Sequence, residues 1–178
     1  MRIEREKAVF LLIDVQEKLY PHMENKEALL SKTVTLLNGL AALEVPLLAA
    51  RQHPQGLGDT IEQLRPYFEG YYDKKDFSCC SHDGLMATIA ETGRNQVIII
   101  GIEAHICVLQ TAIDLKAIGF QPVVVTDAIS SRSRQDYDIA LRRMEQEGVL
   151  LATVESILFE LCRVSGTAEF KAISRLVK

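Results

Sequence analysis

The sequence predicts an α/β fold: a three-layer α/β/α sandwich around a six-stranded, mainly parallel, Rossmann-like sheet. Two observations predict it. Short β-branched runs alternate with longer amphipathic stretches along the whole chain, the pattern of a parallel sheet covered by helices. The strand-like run Ala8 to Ile13 is apolar throughout, as expected of a strand buried on both faces. Length and composition agree. A chain of 178 residues fits one domain, taken here as residues 1–178. Its 48% hydrophobic and 25% charged residues are the values of a globular protein that builds a core without disulfides or metals.

The elements follow in order. The first strand, Ala8 to Ile13, ends in Asp14. Leu29, Leu30, Val34, Leu37, Leu40 and Ala41 recur with a 3.6-residue period and predict a helix over about 26–43. Pro46 to Ala50 is the second strand, and Gln52-His53-Pro54-Gln55-Gly56-Leu57-Gly58 is a turn-rich loop. A short third strand is expected near Tyr71 to Lys74, then a helix over about 84–92. Gln96 to Gly101 is the strongest strand signal in the chain. A helix follows over 105–118 and stops at Gly119. The fifth strand, Pro122 to Thr126, ends in Asp127. A helix over 134–147 closes at Gly148, and a sixth strand, 149–153, leads to one or two C-terminal helices.

Open parallel sheets bind ligands beyond the carboxyl ends of their strands. Asp14 ends strand one, Lys74 or Lys75 ends strand three, and Gly101 to Cys107 follows strand four. Those groups therefore share one sheet edge. Cys107 is expected in the first turn of a helix, where partial positive charge favours a thiolate and a nearby ammonium lowers the thiol pKa further. An aspartate can take the thiol proton and return it to a leaving group. Free backbone amides at the helix start can bind an oxyanion. Together these groups make an acyl-transfer apparatus for a small-molecule substrate.

Other classes fare worse. A net charge of −4 argues against nucleic acid as the main partner. The apolar runs are strand-sized, short of the ~20 residues of a membrane span. A charged N-terminus and four cysteines, read as thiols, make the cytoplasm the expected location. A nucleotide-binding sheet needs a glycine-rich turn after strand one, and Asp14-Val15-Gln16-Glu17 has no glycine. Adjacent Cys79 and Cys80 suit a redox disulfide poorly, because neighbouring Cα atoms lie only ~3.8 Å apart. A catalytically silent binding or assembly protein on the same fold remains the alternative that a reactivity test on Cys107 separates.

Three segments carry a resemblance to a known family: Leu11-Leu12-Ile13-Asp14-Val15-Gln16, Lys74-Lys75-Asp76-Phe77-Ser78-Cys79 and Gly101-Ile102-Glu103-Ala104-His105-Ile106-Cys107-Val108. Their order resembles the isochorismatase-like cysteine hydrolases, and nearly the whole chain follows the pattern. The 52–58 loop and the run from Asp127 to Ser133 are most similar to the isochorismatase domain-containing branch.

The resemblance implies Asp14 as general base, Cys107 as nucleophile and Lys74 as the activating charge, Phe77 aligning so as to select Lys74 over Lys75. It implies a cis bond between Ile102 and Glu103, with the Glu103 and Cys107 amides as oxyanion hole. Phe77 and Gln16 are assigned to the substrate. Where nicotinamidases of the family carry an Asp-x-His metal motif, this chain has Arg51-Gln52-His53. Arginine cannot ligate a metal, so no metal and no cofactor are expected. The expected function is hydrolysis of a small amide, carbamoyl or related acyl substrate through a Cys107 thioester, with isochorismatase-type cleavage of a vinyl ether as the alternative. Family members form dimers, tetramers or larger rings, which implies a homo-oligomer, a dimer or a tetramer.

Overall fold

A computed structural model describes residues 1–178. Six strands form one sheet in the order β3-β2-β1-β4-β5-β6, and every pairing is parallel. They are β1 Ala8–Ile13, β2 Leu47–Gln52, β3 Tyr72–Lys74, β4 Gln96–Ile102, β5 Gln121–Ser130 and β6 Leu150–Ala152. The helices are α1 Lys26–Ala42, the single turn α2 Pro54–Leu57, α3 Asp83–Glu91, α4 Leu109–Ala117, α5 Arg134–Gln146, α6 Val154–Cys162 and α7 Ala168–Leu176. Against α1, α6 and α7 on one face stand α4 and α5 on the other, with α3 joined to α4 through the Cys79–Ser81 turn.

The central strands explain this layering. Every residue of β1 and β4 is buried, so both faces of the sheet's middle need cover. Side chains such as Phe10, Leu11, Leu36, Leu40, Ile98 and Leu158 fill the two interlayer cores. Burying a side chain of this kind stabilises by about 1.5–3 kcal/mol. Local signals set the helix starts. The Ser133 hydroxyl accepts from the Asp136 amide at the head of α5, and Thr153 and Ser156 form a reciprocal capping box at α6.

Two strands run further than their sequences predict. β2 extends to Gln52 because Arg51 and Gln52 pair with Asp73 and Lys74 of β3. β5 continues through Thr126 and Asp127 to Ser130. The register jumps there from Ile99–Val124 to Gly101–Ile129, so the extra residues bulge out and the strand resumes beside the end of β4. This second stretch brings Ser130, Ser131 and Arg132 against the segment that follows β4.

Candidate active site

Asp14, Lys74 and Cys107 come together at the carboxyl edge of β1, β3 and β4. Asp14 leaves β1 in the left-handed region, at φ 54°, and its amide donates to Ala50 O of β2 at 3.1 Å. That turn drives the carboxylate under the sheet edge, where it is 0% exposed. Lys74 ends β3 and inserts its side chain toward the same point. Its Nζ donates to Asp14 Oδ2 at 2.8 Å, Gln52 Oε1 at 2.7 Å, Phe77 O at 3.1 Å and Asp76 O at 3.3 Å. Neighbouring Lys75 is exposed, so of the two lysines only Lys74 reaches the carboxylate.

Cys107 is buried, 6% exposed. Cys107 and Asp14 shift each other's ionisation. Asp14 Oδ1 is buried without a hydrogen-bond partner and remains an open acceptor on that carboxyl. The nucleophile segment is a π-helical turn, Ala104–Val108, that leads into α4. It takes the place of the α-helical first turn expected from sequence. The Ile102–Glu103 bond before it is cis.

Ionisation at the site departs from the sequence expectation in one respect. A thiol lowered by the helix start and by lysine was expected, yet the Cys107 thiol is raised. Burial is the main cause and the Asp14 charge adds to it, while Lys74 opposes both. Burial and the Asp14 charge together outweigh the pull of Lys74 on sulfur. Asp14 is also raised, by burial, with Lys74 pulling the other way. For Lys74, burial favours the neutral amine but the facing Asp14 outweighs it, and the ammonium is held above its ordinary range. The resting site is thus a protonated thiol beside a carboxylate of raised proton affinity.

The remaining predicted residues divide. Ile102 is fully buried in β4. Glu103 is 7% exposed, and its Oε2 accepts from the Arg132 amide at 3.3 Å and from Arg132 Nε at 3.0 Å. Phe77 has a ring exposed to solvent, while its carbonyl serves Lys74. The Gln16 side chain is fully buried, its amide nitrogen donating to Gln52 O and Gly58 O and its oxygen accepting from the Gln52 amide. The Cys79 and Cys80 thiols are pushed up by burial to about 12 and about 11.

Arg51 lies at the position where the resemblance led to a metal-motif carboxylate being sought. It donates to Asp59 at 2.6 Å and to Asp73 at 2.8 and 3.1 Å, and stacks 4.4 Å from the centre of the Tyr71 ring. Sequence reasoning missed Gln52, which it placed in a loop. The signal that finds it is strand register, since Gln52 stands opposite Lys74 where β2 and β3 pair.

Known proteins share this arrangement of fold. The chain matches the Isochorismatase domain over residues 8–156. It is 37% identical to Isochorismatase domain-containing protein 2A of Mus musculus, over 99% of this chain and 85% of that protein. A solved structure described as MAR1 ribonuclease from Caenorhabditis elegans superposes with a TM-score of 0.93 at 33% identity, covering 99% of this chain and 92% of the other. The YcaC gene product from Escherichia coli, described as an octameric hydrolase of unknown specificity, superposes with a TM-score of 0.94 over 99% of this chain and 89% of the other. At 22% identity that last likeness speaks for the fold alone. No helix of the structure is long and apolar enough to cross a membrane. Sequence, fold and strand-edge geometry agree, and the chain belongs to the isochorismatase family of hydrolase domains.

Proposed function

We propose that this protein is a cysteine hydrolase of small amide, carbamoyl or related acyl substrates. The observation that carries the reading is a buried Asp14 whose Oδ2 is held by Lys74 and whose Oδ1 is unpartnered, on a carboxyl in contact with the Cys107 thiol. A protonated thiol next to a carboxylate of raised proton affinity suits proton transfer during attack better than a standing thiolate.

Sulfur of Cys107 attacks the acyl carbon while its proton passes to Asp14. The oxyanion is held by the Glu103 and Cys107 amides, the role taken from the family resemblance. Collapse breaks the C–N bond, and Asp14 gives its proton to the departing nitrogen. Water then adds to the thioester with Asp14 accepting its proton. The acid departs, and sulfur recovers the proton. Lys74 keeps its charge throughout and holds Asp14 ionised before attack. Phe77, with its ring in solvent at the end of β3, walls the substrate side. Four free thiols suit a reducing compartment, and we place the protein in the cytoplasm. We propose a homo-oligomer, as the family resemblance implies.

The test is mass spectrometry of intact protein mixed with a panel of small amides. An acyl adduct on Cys107 and turnover that is lost in Cys107→Ala support the reading. Turnover that survives in Cys107→Ala overturns the nucleophile.

A second reading draws on the raised Asp14 carboxyl. A carboxyl that keeps its proton to higher pH can protonate a vinyl ether, the isochorismatase chemistry of the family, and that activity persists in Cys107→Ala but not in Asp14→Asn. Ribonuclease activity, named for the C. elegans relative, fits a chain of net charge −4 less well. Adding RNA to the substrate panel separates it.

A further inference from the structure

Gln16 and Gln52 form a chain of hydrogen bonds that ends on Lys74. We propose that these two glutamines are positioning residues, which fix the Lys74 ammonium and through it the Asp14 carboxylate. The proposal rests on the reading of Asp14, Lys74 and Cys107 given above.

Each group in the chain has only one possible polarity. An ammonium can only donate, so the Gln52 atom 2.7 Å from Lys74 Nζ is Oε1. Nε2 of Gln52 then points the other way and donates to Lys75 O at 2.6 Å. The Gln52 amide donates to Gln16 Oε1 at 2.7 Å. That leaves Gln16 Nε2 to donate to Gln52 O at 3.0 Å and Gly58 O at 2.7 Å. Neither side-chain amide can flip without setting like against like. Gln16 stands two residues beyond Asp14 and also bridges to Thr60. The chain of bonds therefore ties the ends of β1, β2 and β3 into one unit around the ion pair.

Lysine needs such a tether. Its four-carbon stem is flexible and its charge is a compact point, so the stem alone does not set where the ammonium sits. Of its four acceptors, two are the backbone carbonyls at 3.1 and 3.3 Å and one is Asp14. Gln52 is the single neutral side chain among them, at 2.7 Å. Without it the ammonium drifts toward the 76–77 carbonyls and away from Asp14. Asp14 then loses part of the force that lowers its pKa, and it takes up a proton at higher pH. Because thiol attack needs the ionised carboxylate, the acid limb of Cys107 reactivity moves upward.

The experiment measures the iodoacetamide alkylation rate of Cys107 against pH, by peptide mass spectrometry on the full chain. The variants are Gln52→Met, Gln16→Met, the double variant and Lys74→Met. We expect Gln52→Met to raise the acid limb and to slow Cys107 by about tenfold at neutral pH, the scale of one hydrogen bond to a charged group. Gln16→Met shifts the limb in the same direction by less. The double variant goes no further than Gln52→Met alone, because both act through one chain. A merely structural role lowers the melting temperature and leaves the limb in place. Parent-like limbs in both single variants, with a shifted limb in Lys74→Met, overturn the brace and leave the site reading standing. Strictly additive shifts overturn the chain. Cys107 that alkylates no faster than Cys162 and ignores Lys74→Met overturns the site reading and the brace together. Should buried Gln16→Met fail to fold, the half-buried Gln52 position decides alone.

Discussion

Asp14 and Lys74, 60 residues apart in sequence, meet at 2.8 Å with side chains 0% and 1% exposed. A buried pair of this kind costs more to break from one side than to leave intact, because the survivor is stranded.

The two halves of the pair predict unequal losses. Lys74→Met strands a buried carboxylate whose Oδ1 already lacks a partner, and a destabilisation of about 3–5 kcal/mol is expected. Asp14→Asn leaves the ammonium with Gln52 Oε1 and two carbonyls, so it destabilises less. Urea unfolding of both variants checks the order. Equal losses argue against this account.

The pair also sets a pH dependence of stability. Asp14 is raised in the folded state. Its stabilising contribution is present in full below the unfolded value of ~3.9 and is lost as pH rises through the folded value. Lys74 is raised too. Its contribution is complete below ~10.4 and disappears as pH climbs through the folded value. Stability of the parent is therefore expected to fall in two steps as pH rises; in Lys74→Met the upper step disappears and the Asp14 step grows, because the charge opposing its raised pKa is gone. Urea midpoints from about pH 4 to about pH 11 measure both limbs.

Thiol reactivity should follow proton acceptors and not exposure. Cys107 is nearly as buried as Cys79, at 6% against 1%, but of the two only Cys107 is in hydrogen-bonding contact with the Asp14 carboxyl. At neutral pH, Cys107 is expected to alkylate well ahead of Cys79 and Cys80: burial raises all three thiols, and Cys107 is the one in hydrogen-bonding contact with the Asp14 carboxyl that can take its proton. Asp14→Asn should remove that lead. Fast labelling of Cys79 in the folded protein would contradict it.

Gly101 offers a test of the sheet edge. It pairs with Ile13 at φ 124°, and a Cβ built there would lie 2.0 Å from Ile13 O. Gly101→Ala is expected to cost on the order of 3 kcal/mol or more, since a strained φ and a backbone clash coincide. The displaced strand end carries Asp14, so Cys107 alkylation should slow as well. Parent-like unfolding would sink the expectation.

The sequence was most legible where structure is local. β1 falls on the residues its apolar run predicts, 8–13, and the ends of α1, α3 and α5 lie within a residue or so of their predicted places. Strand ends were less legible because pairing decides them. Thr126 and Asp127 look like a strand's end, yet β5 resumes beyond them to meet Gly101 and Ile102. At the site, the residue types and the sheet-edge rule pointed to Asp14, to Lys74 or Lys75 and to Cys107, and the family resemblance chose Lys74, while Gln52 was invisible until β2 and β3 were in register. The direction of the Cys107 shift was also hidden. Sequence shows a helix start and a lysine, but the burial that outweighs them is a property of the packed sheet.

The order β3-β2-β1-β4 has a consequence for the chain as it folds. The acceptor for the thiol proton comes from β1, its counter-charge from β3, and the sulfur from the turn after β4, so no single supersecondary unit contains the chemistry. A nascent or partly unfolded chain holds only an ordinary cysteine. On the proposed reading, sulfur meets its proton acceptor only when four neighbouring strands have closed, so the reactivity of Cys107 becomes a reporter of completed assembly.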